Sequence, residues 1–386
     1  MSGNSLDRFA ERKLHSLARR DLRRTLTVTA RASARAVESG GARLISFACN
    51  DYLGLAHHPE VIAASRAATE RYGAGAGAAR LISGNHPLYA RLEERLAALK
   101  GSGDAVVFGS GYLTNIGVLP VLAGAADLVL VDELCHSCIL AGAALSRAHV
   151  MTFRHNDVED AGRLLGAQRA RHRRCLVVTE GVFSMDGDLA PLPALAALAR
   201  AHDAWLMTDD AHGLGVVGGG RGSTFAHSAP ADVPLQMGTL SKAAGSYGGY
   251  LCASRPVAEL MRNRARSFVY STGLPPGVVA AAAAALAIIA RDAALVALPL
   301  ARARQFTEAL GLPQAQSAIV AVVLGATARA LGASEALRAA GFLVPAIRPP
   351  TVPGGTARLR FAFSAAHTQD DVAALARAVA ASGIAA

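Results

Sequence analysis

From about residue 104 the chain alternates short apolar, β-rich runs with helical stretches. The runs are AVVFG from 105, DLVLVDE from 127, HVMTF from 149, RCLVVTEG from 174, AWLMTDDAH from 204, LQMGTL from 235 and GGYLCAS from 248. Several are continuously apolar, which is how strands covered on both faces read. Helical pieces such as DAGRLLGAQRARH and LPALAALARAH lie between them, the second introduced by Pro191 and Pro193. The alternation predicts an α/β fold with a mostly parallel, doubly wound sheet of seven strands flanked by helices. The last two runs are about eight residues apart, too close for a helical crossover, so one strand is expected to be antiparallel.

After Pro299 the texture changes. ALRAAGFLVPAIRPPTVPGGTARLRFAFSAAHT reads as helix, strand, Pro-rich loop and strand, followed by a final helix, QDDVAALARAVAAS. That predicts a smaller α+β lobe. The expected division is a helix and segment over 1–50 that pack with the small lobe, a large α/β domain over 51–290, and the small domain over 291–386. Leu6, Phe9, Leu14, Leu17 and Leu22 suit an amphipathic helix lying on the body of the protein. The longest apolar run, VVAAAAAALAIIA from 278 to 290, is 13 residues long. It is too short to span a bilayer, so a buried helix and no membrane association are expected.

The net charge of +10 and pI near 9.9 change the picture little. The excess is arginine scattered singly, without aromatic platforms or a zinc or helix-turn-helix signature, so no nucleic-acid partner is expected. A mild attraction to anionic ligands, including polyphosphate-bearing substrates, follows instead. The first 24 residues hold seven basic and three acidic side chains and no apolar core, unlike a secretory signal. Five dispersed cysteines suit a reducing cytoplasm. CHSC at 135–138 is an isolated CxxC without the second pair a structural zinc site needs, and no metal is expected.

Lysine occurs only at 13, 100 and 242, against 36 arginines. A lysine in the small-residue turn GTLSKAAG therefore needs a reason. Guanidinium stays protonated and delocalised, whereas an ε-amine can lose its proton and join an aldehyde. Three runs end in polar residues, TEGVFSMDGD, TDDAHGLG and GTLSK, and ligands bind beyond the carboxyl ends of such strands. A lysine, an aspartate and a histidine on one sheet edge are the parts of a pyridoxal phosphate (PLP) site. The ring nitrogen calls for a carboxylate. Asp209 or Asp210 could supply it, and the spacing to His212 favours Asp209, leaving the other solvated or capping a helix. GSGYLTNIGVLPVL, from Gly109, is a glycine-rich turn opening a helix, the usual seat of a phosphate.

These motifs, with FACNDYLGLAHHP, DDAHGLGVVGGGRGS, YSTGLPP and IRPPTVPGGTARLRFAFSAAHT, span nearly the whole chain and resemble the α-oxoamine synthases, PLP enzymes of fold type I. The resemblance implies that Lys242 holds PLP covalently and later moves the substrate's α-proton. Asp209 would pair with the ring nitrogen, His136 stack on the ring, and His212 bond its 3-oxygen with Ser184 nearby. Gly111 and Tyr112 backbone groups with Thr239 would hold the phosphate, and Ser271 and Thr272 of a neighbouring subunit would complete the cup in a homodimer. Arg360 would grip the amino acid's carboxylate, with Arg23, Asn50 and Thr351 lining the acyl and amino-acid end. Ala79 stands where the family's 5-aminolevulinate synthases carry a hydroxyl for a short succinyl group, which suits a longer chain. The implied reaction is decarboxylative condensation of L-alanine with pimeloyl-CoA or its acyl-carrier-protein (ACP) equivalent, as in biotin synthesis. The alternatives are glycine with acetyl-CoA, or serine with palmitoyl-CoA.

Overall fold

A computed structural model describes residues 4–384. All seven apolar runs form strands of one sheet: β1 (Asp104–Phe108), β2 (Leu128–Asp132), β3 (His149–Phe153), β4 (Cys175–Glu180), β5 (Trp205–Asp209), β6 (Leu235–Thr239) and β7 (Gly249–Ala253). Their order is β1-β7-β6-β5-β4-β2-β3. β6, β5, β4, β2 and β3 run parallel, and β7 runs antiparallel to both its neighbours. Residues 240–248 leave no room for a crossover helix between β6 and β7, so the chain must turn back. Lys242 sits in that turn.

The continuous apolar character of the strands follows from burial on both faces. Along β1, Val106 and Phe108 join one core while Ala105 and Val107 join the other. Successive side chains point to opposite faces, so both sets must be apolar. β3 is the exception: its residues 149 and 150 are exposed, as an edge position allows. The 278–290 run lies in the helix Pro276–Arg291, most of which is buried as its composition demands. No single helix among the described residues is long and apolar enough to cross a membrane.

A third core gathers Phe47, Phe306, Phe342, Phe361 and Phe363 around the antiparallel strands Ile319–Gly325, Ala357–Ala362 and Ala346–Ile347. The N-terminal strand Ala42–Ser46 pairs in parallel with Phe342–Leu343, joining the chain's start to this late segment. The final helix, Gln369–Ala381, starts at a capping box between Thr368 and Asp371, which satisfies two of its orphan donors.

One expectation is corrected. The helix Ser5–Ala18 forms, capped by Asn4, but buries none of its residues, and Leu6, Phe9, Leu14 and Leu17 are exposed. An amphipathic stripe sets which helix face is apolar, not what covers it.

Candidate active site

Lys242 is held by the turn that follows β6. The Gly245 N–H donates to the Lys242 carbonyl at 2.8 Å, with Gly245 at φ +61°. A Cβ at Gly245 would come 2.2 Å from the Ala56 backbone nitrogen, so only glycine lets the turn lie against that segment. Ala243 and Ala244 are buried beside it. The small residues are thus the packing surface that holds the lysine at the sheet edge.

Lys242 Nζ lies 2.7 Å from His212 Nε2, and His212 Nδ1 lies 2.6 Å from the Tyr52 hydroxyl. The hydroxyl donates to Asn50 Oδ1 at 3.2 Å. Arg360 closes the cluster, donating to the Tyr52 oxygen at 3.3 Å, Asn50 Oδ1 at 3.2 Å and the Ser184 carbonyl at 2.5 Å. With Tyr52 donating to Asn50, His212 donates through Nδ1 and accepts from the amine at Nε2. Burial, reinforced by the Lys242 charge, pushes the His212 pKa well down, so the ring is neutral. Burial likewise lowers the Lys242 pKa to about 8, against the pull of Asp209 and Glu180.

The adjacent aspartates take opposite roles. Asp209 ends β5 in register with Glu180 of β4, and its carboxylate accepts from Asn115 Nδ2 at 2.7 Å and the Ala211 N–H at 3.0 Å. Asp210 is neither solvated nor a helix cap, which corrects that expectation. It turns to the opposite side and pairs with Lys100 Nζ at 2.7 Å, accepting also from the Ser223 N–H at 3.0 Å.

Glu180, Tyr52 and Asn115 are site residues that sequence reasoning missed. Glu180 Oε1 accepts from the His136 N–H at 2.6 Å and Oε2 from the Ser184 N–H at 3.0 Å. One buried carboxylate therefore fixes two loops. Burial and the Asp209 charge raise its pKa to about 8. The signal was available: Glu180 stands at the same strand-end level as Asp209, and Asn115 lies one helical turn beyond Gly111. His136 caps the helix Ser137–Ser146, its Nδ1 accepting from the Cys138 N–H at 3.2 Å.

Gly111 opens the helix Gly111–Leu122, capped by Ser110, whose side chain accepts from the Leu113 N–H. The N–H groups of Gly111 and Tyr112 thus fall in a first turn without intrahelical partners. A Cβ at Gly111 would sit 3.5 Å from Thr239 Cβ, so helix start and β6 end form one cradle. Ser271 and Thr272 lie elsewhere: Thr272 bridges Ala79, and both line a small cavity with Arg80 and Tyr89.

A cleft of about 620 Å³ runs from His136 and Ser184 to Thr351 and Val352. Arg24 lines it and donates to Thr351 Oγ1 at 3.0 Å. Arg23, the expected residue, lines instead an adjoining trough with Leu14, Leu17 and Pro349, and its carbonyl accepts from Arg348. Asn50 and Arg360 are brought to Tyr52, which leads through His212 to Lys242, and Thr351 lines the cleft.

The amine, the buried acceptor Asp209 and the helix-start cradle match the aldehyde, ring nitrogen and phosphate of PLP in chemical kind. Residues 42–379 match the aminotransferase class I and II family. The chain is 63% identical over 340 residues to an 8-amino-7-oxononanoate synthase from Methylocella silvestris, covering 88% of this chain and 97% of that one. It is 58% identical to one from Beijerinckia indica, covering 98% of each. A Sphingomonas wittichii serine palmitoyltransferase superposes with TM-score 0.91 at 33% identity, covering 99% of this chain and 100% of that one. The chain belongs to the class I and II aminotransferase family of PLP enzymes, with the fold type I architecture, and within it to the 8-amino-7-oxononanoate synthases.

Proposed function

We propose that this chain condenses L-alanine with a pimeloyl thioester of coenzyme A or ACP, giving 8-amino-7-oxononanoate, CO₂ and the free thiol. The observation that carries the chemistry is the half-buried amine of Lys242, 2.7 Å from a neutral histidine. Bound PLP supplies an electron sink for the α-carbon of the amino acid. Asp209 would be the acceptor that keeps its ring nitrogen protonated, Gly111, Tyr112 and Thr239 would seat the phosphate, and His136 would lie against the ring.

The Lys242 amine takes the alanine α-proton and later returns a proton to the product. An amine with pKa near neutrality can do both. Arg360 meets the alanine carboxylate, directing the Cα–H bond at Lys242. The α-carbon attacks the thioester carbonyl, the C–S bond breaks, and the resulting β-keto acid loses CO₂. The 620 Å³ cleft beyond His136 takes the acyl chain, with Arg24 and Thr351 on its wall. In a homodimer, Ser271 and Thr272 would be the partner's contribution to the phosphate seat.

Serine palmitoyltransferase chemistry is the competing reading, favoured by the solved structures at TM-scores near 0.91 but only 30–33% identity. The relatives at 58–63% identity outweigh it. Free thiol release is measured with pimeloyl-CoA or palmitoyl-CoA, each with alanine, glycine or serine. Turnover is expected with pimeloyl-CoA and alanine; turnover with glycine or serine and none with alanine overturns the assignment.

A further inference from the structure

We infer that His155 is a positively charged positioning residue that fixes the loop carrying His136 against the loop carrying Ser184, a role that rests on the proposed reading of those two loops. His155 Nδ1 donates to Asp132 Oδ1 at 3.1 Å and Nε2 to Asp188 Oδ2 at 2.8 Å. Both carboxylates are acceptors only, so both ring nitrogens carry protons and the ring is an imidazolium. Asn156 doubles the bracket. Its N–H donates to Asp132 Oδ2 at 2.8 Å and its Nδ2 to Asp188 Oδ2 at 2.7 Å. Asn156 has φ +56°, a conformation asparagine tolerates better than most residues.

The two carboxylates belong to different loops. Asp132 ends β2 and shapes the turn into His136, accepting the Leu134 N–H at Oδ1 and the Cys135 N–H at its carbonyl. Asp188 closes the turn that carries Ser184, its carbonyl accepting the Phe183 N–H at 3.0 Å. The His155 ring also meets Phe183 edge-on, with centroids 4.3 Å apart. Asp132 and Asp188 are the charged groups that act on this ring; nearby, Glu133 Oε1 accepts the His155 backbone N–H, and Arg154 is already paired with Asp157 and Asp160. Burial pushes the His155 pKa down, yet the bonds and charges of Asp132 and Asp188 overcome it and raise the pKa to about 10. Inside the active site Glu180 joins the same two loops through their backbone, so His155 is the outer half of a two-point clamp.

The test begins with ¹⁵N-histidine NMR of the PLP-loaded protein near pH 8, with the His155 signal assigned by its loss in His155→Gln. Two protonated ring nitrogens are expected; a neutral ring signature overturns the inference whatever the substrate proves to be. The second arm is Asp188→Asn, which removes one carboxylate and lowers the His155 pKa. Its kcat relative to wild type is expected to fall about tenfold between roughly pH 7 and 9 as the cation is lost, with little change in KM. A constant ratio overturns the positioning role. The third arm is His155→Gln itself: kcat about tenfold down with a changed visible circular dichroism of the bound cofactor is expected. Unchanged kcat and spectrum overturn the inference, and if that variant fails to fold the Asp188→Asn arm decides.

Discussion

Lys100 Nζ lies 2.7 Å from Asp210 Oδ2, with both side chains fully inaccessible to solvent. A second bond, 2.6 Å to the Arg221 carbonyl, anchors the amine from the other side. This strut stands directly behind Asp209 and holds the start of the turn that delivers His212. Removing one partner of such a pair leaves a buried charge uncompensated, at a cost of about 3–5 kcal/mol. Lys100→Met is therefore expected to lower the denaturation midpoint strongly at fixed protein concentration. Adding Asp210→Leu should recover part of that loss, because the uncompensated charge is gone. A double variant no more stable than the single would show that the pair is not the source.

Glycines crowd the same carboxylate. A Cβ at Gly213 would come 1.9 Å from Asp210 Oδ1, and one at Gly222 would come 1.7 Å from Oδ2. Gly219, by contrast, faces open space at φ +62°. Gly219→Ala is expected to cost only the backbone penalty, about 1–2 kcal/mol. Gly213→Ala must displace the ion pair and should cost more, with a melting temperature below that of Gly219→Ala. Equal losses would mean that the crowding is relieved without disturbing Asp210.

The strands and two of their polar ends were legible because each rests on a local pattern: a continuous apolar run that closes on Asp209, and another followed by the turn that carries Lys242. The antiparallel β7 was legible from the length of one link. What escaped is what sequence distance hides. Lys100 and Asp210 are 110 residues apart, and although lysine is scarce in this chain, no local motif at the end of the helix Leu88–Lys100 names its partner. Tyr52 was passed over because its hydroxyl acquires a role only when His212 and Arg360 arrive from later elements. Arg23 and Arg24 are neighbours in an irregular segment, where no periodicity says which faces the cleft.

That ambiguity has a direct consequence. Arg24 lines the cleft and bonds Thr351, while Arg23 faces the adjoining trough. Arg24→Ala is expected to raise KM for the acyl thioester about tenfold, the weight of one charge-assisted contact, with a smaller effect from Arg23→Ala. Steady-state kinetics with the thioester varied and alanine saturating would decide it. The reverse order would place Arg23 in the cleft.

The cysteines offer a check on burial. Burial raises the pKa of Cys138, Cys175 and Cys252 to about 12, and that of Cys135 well above its ordinary value. The thiolate is the reactive form, so these four should resist alkylation in the native protein. Cys49 is only half-buried and is expected to be modified first. Mass spectrometry after brief iodoacetamide treatment near pH 8 would locate the label. Early modification of Cys135 or Cys138 would mean that the CHSC turn opens to solvent, and with it the seat of His136.

The pKa of Lys242 gives the sharpest pH signature. The neutral amine is the nucleophile toward an aldehyde, and its fraction grows as pH rises toward its pKa. Burial lowers that pKa from 10.5 to about 8. In cofactor-free protein, capture of PLP should therefore accelerate about tenfold per pH unit below that value and level off above it, where an exposed lysine would keep accelerating. Glu180 is one of the anions holding the Lys242 pKa up. Glu180 itself titrates near 8, so Glu180→Gln removes a charge that is carried only on the alkaline side of the profile, and the plateau should begin at slightly lower pH. Stopped-flow absorbance of the bound cofactor reads both. A rate still rising through pH 10, or a Glu180→Gln plateau displaced upward, would show that desolvation does not govern this amine.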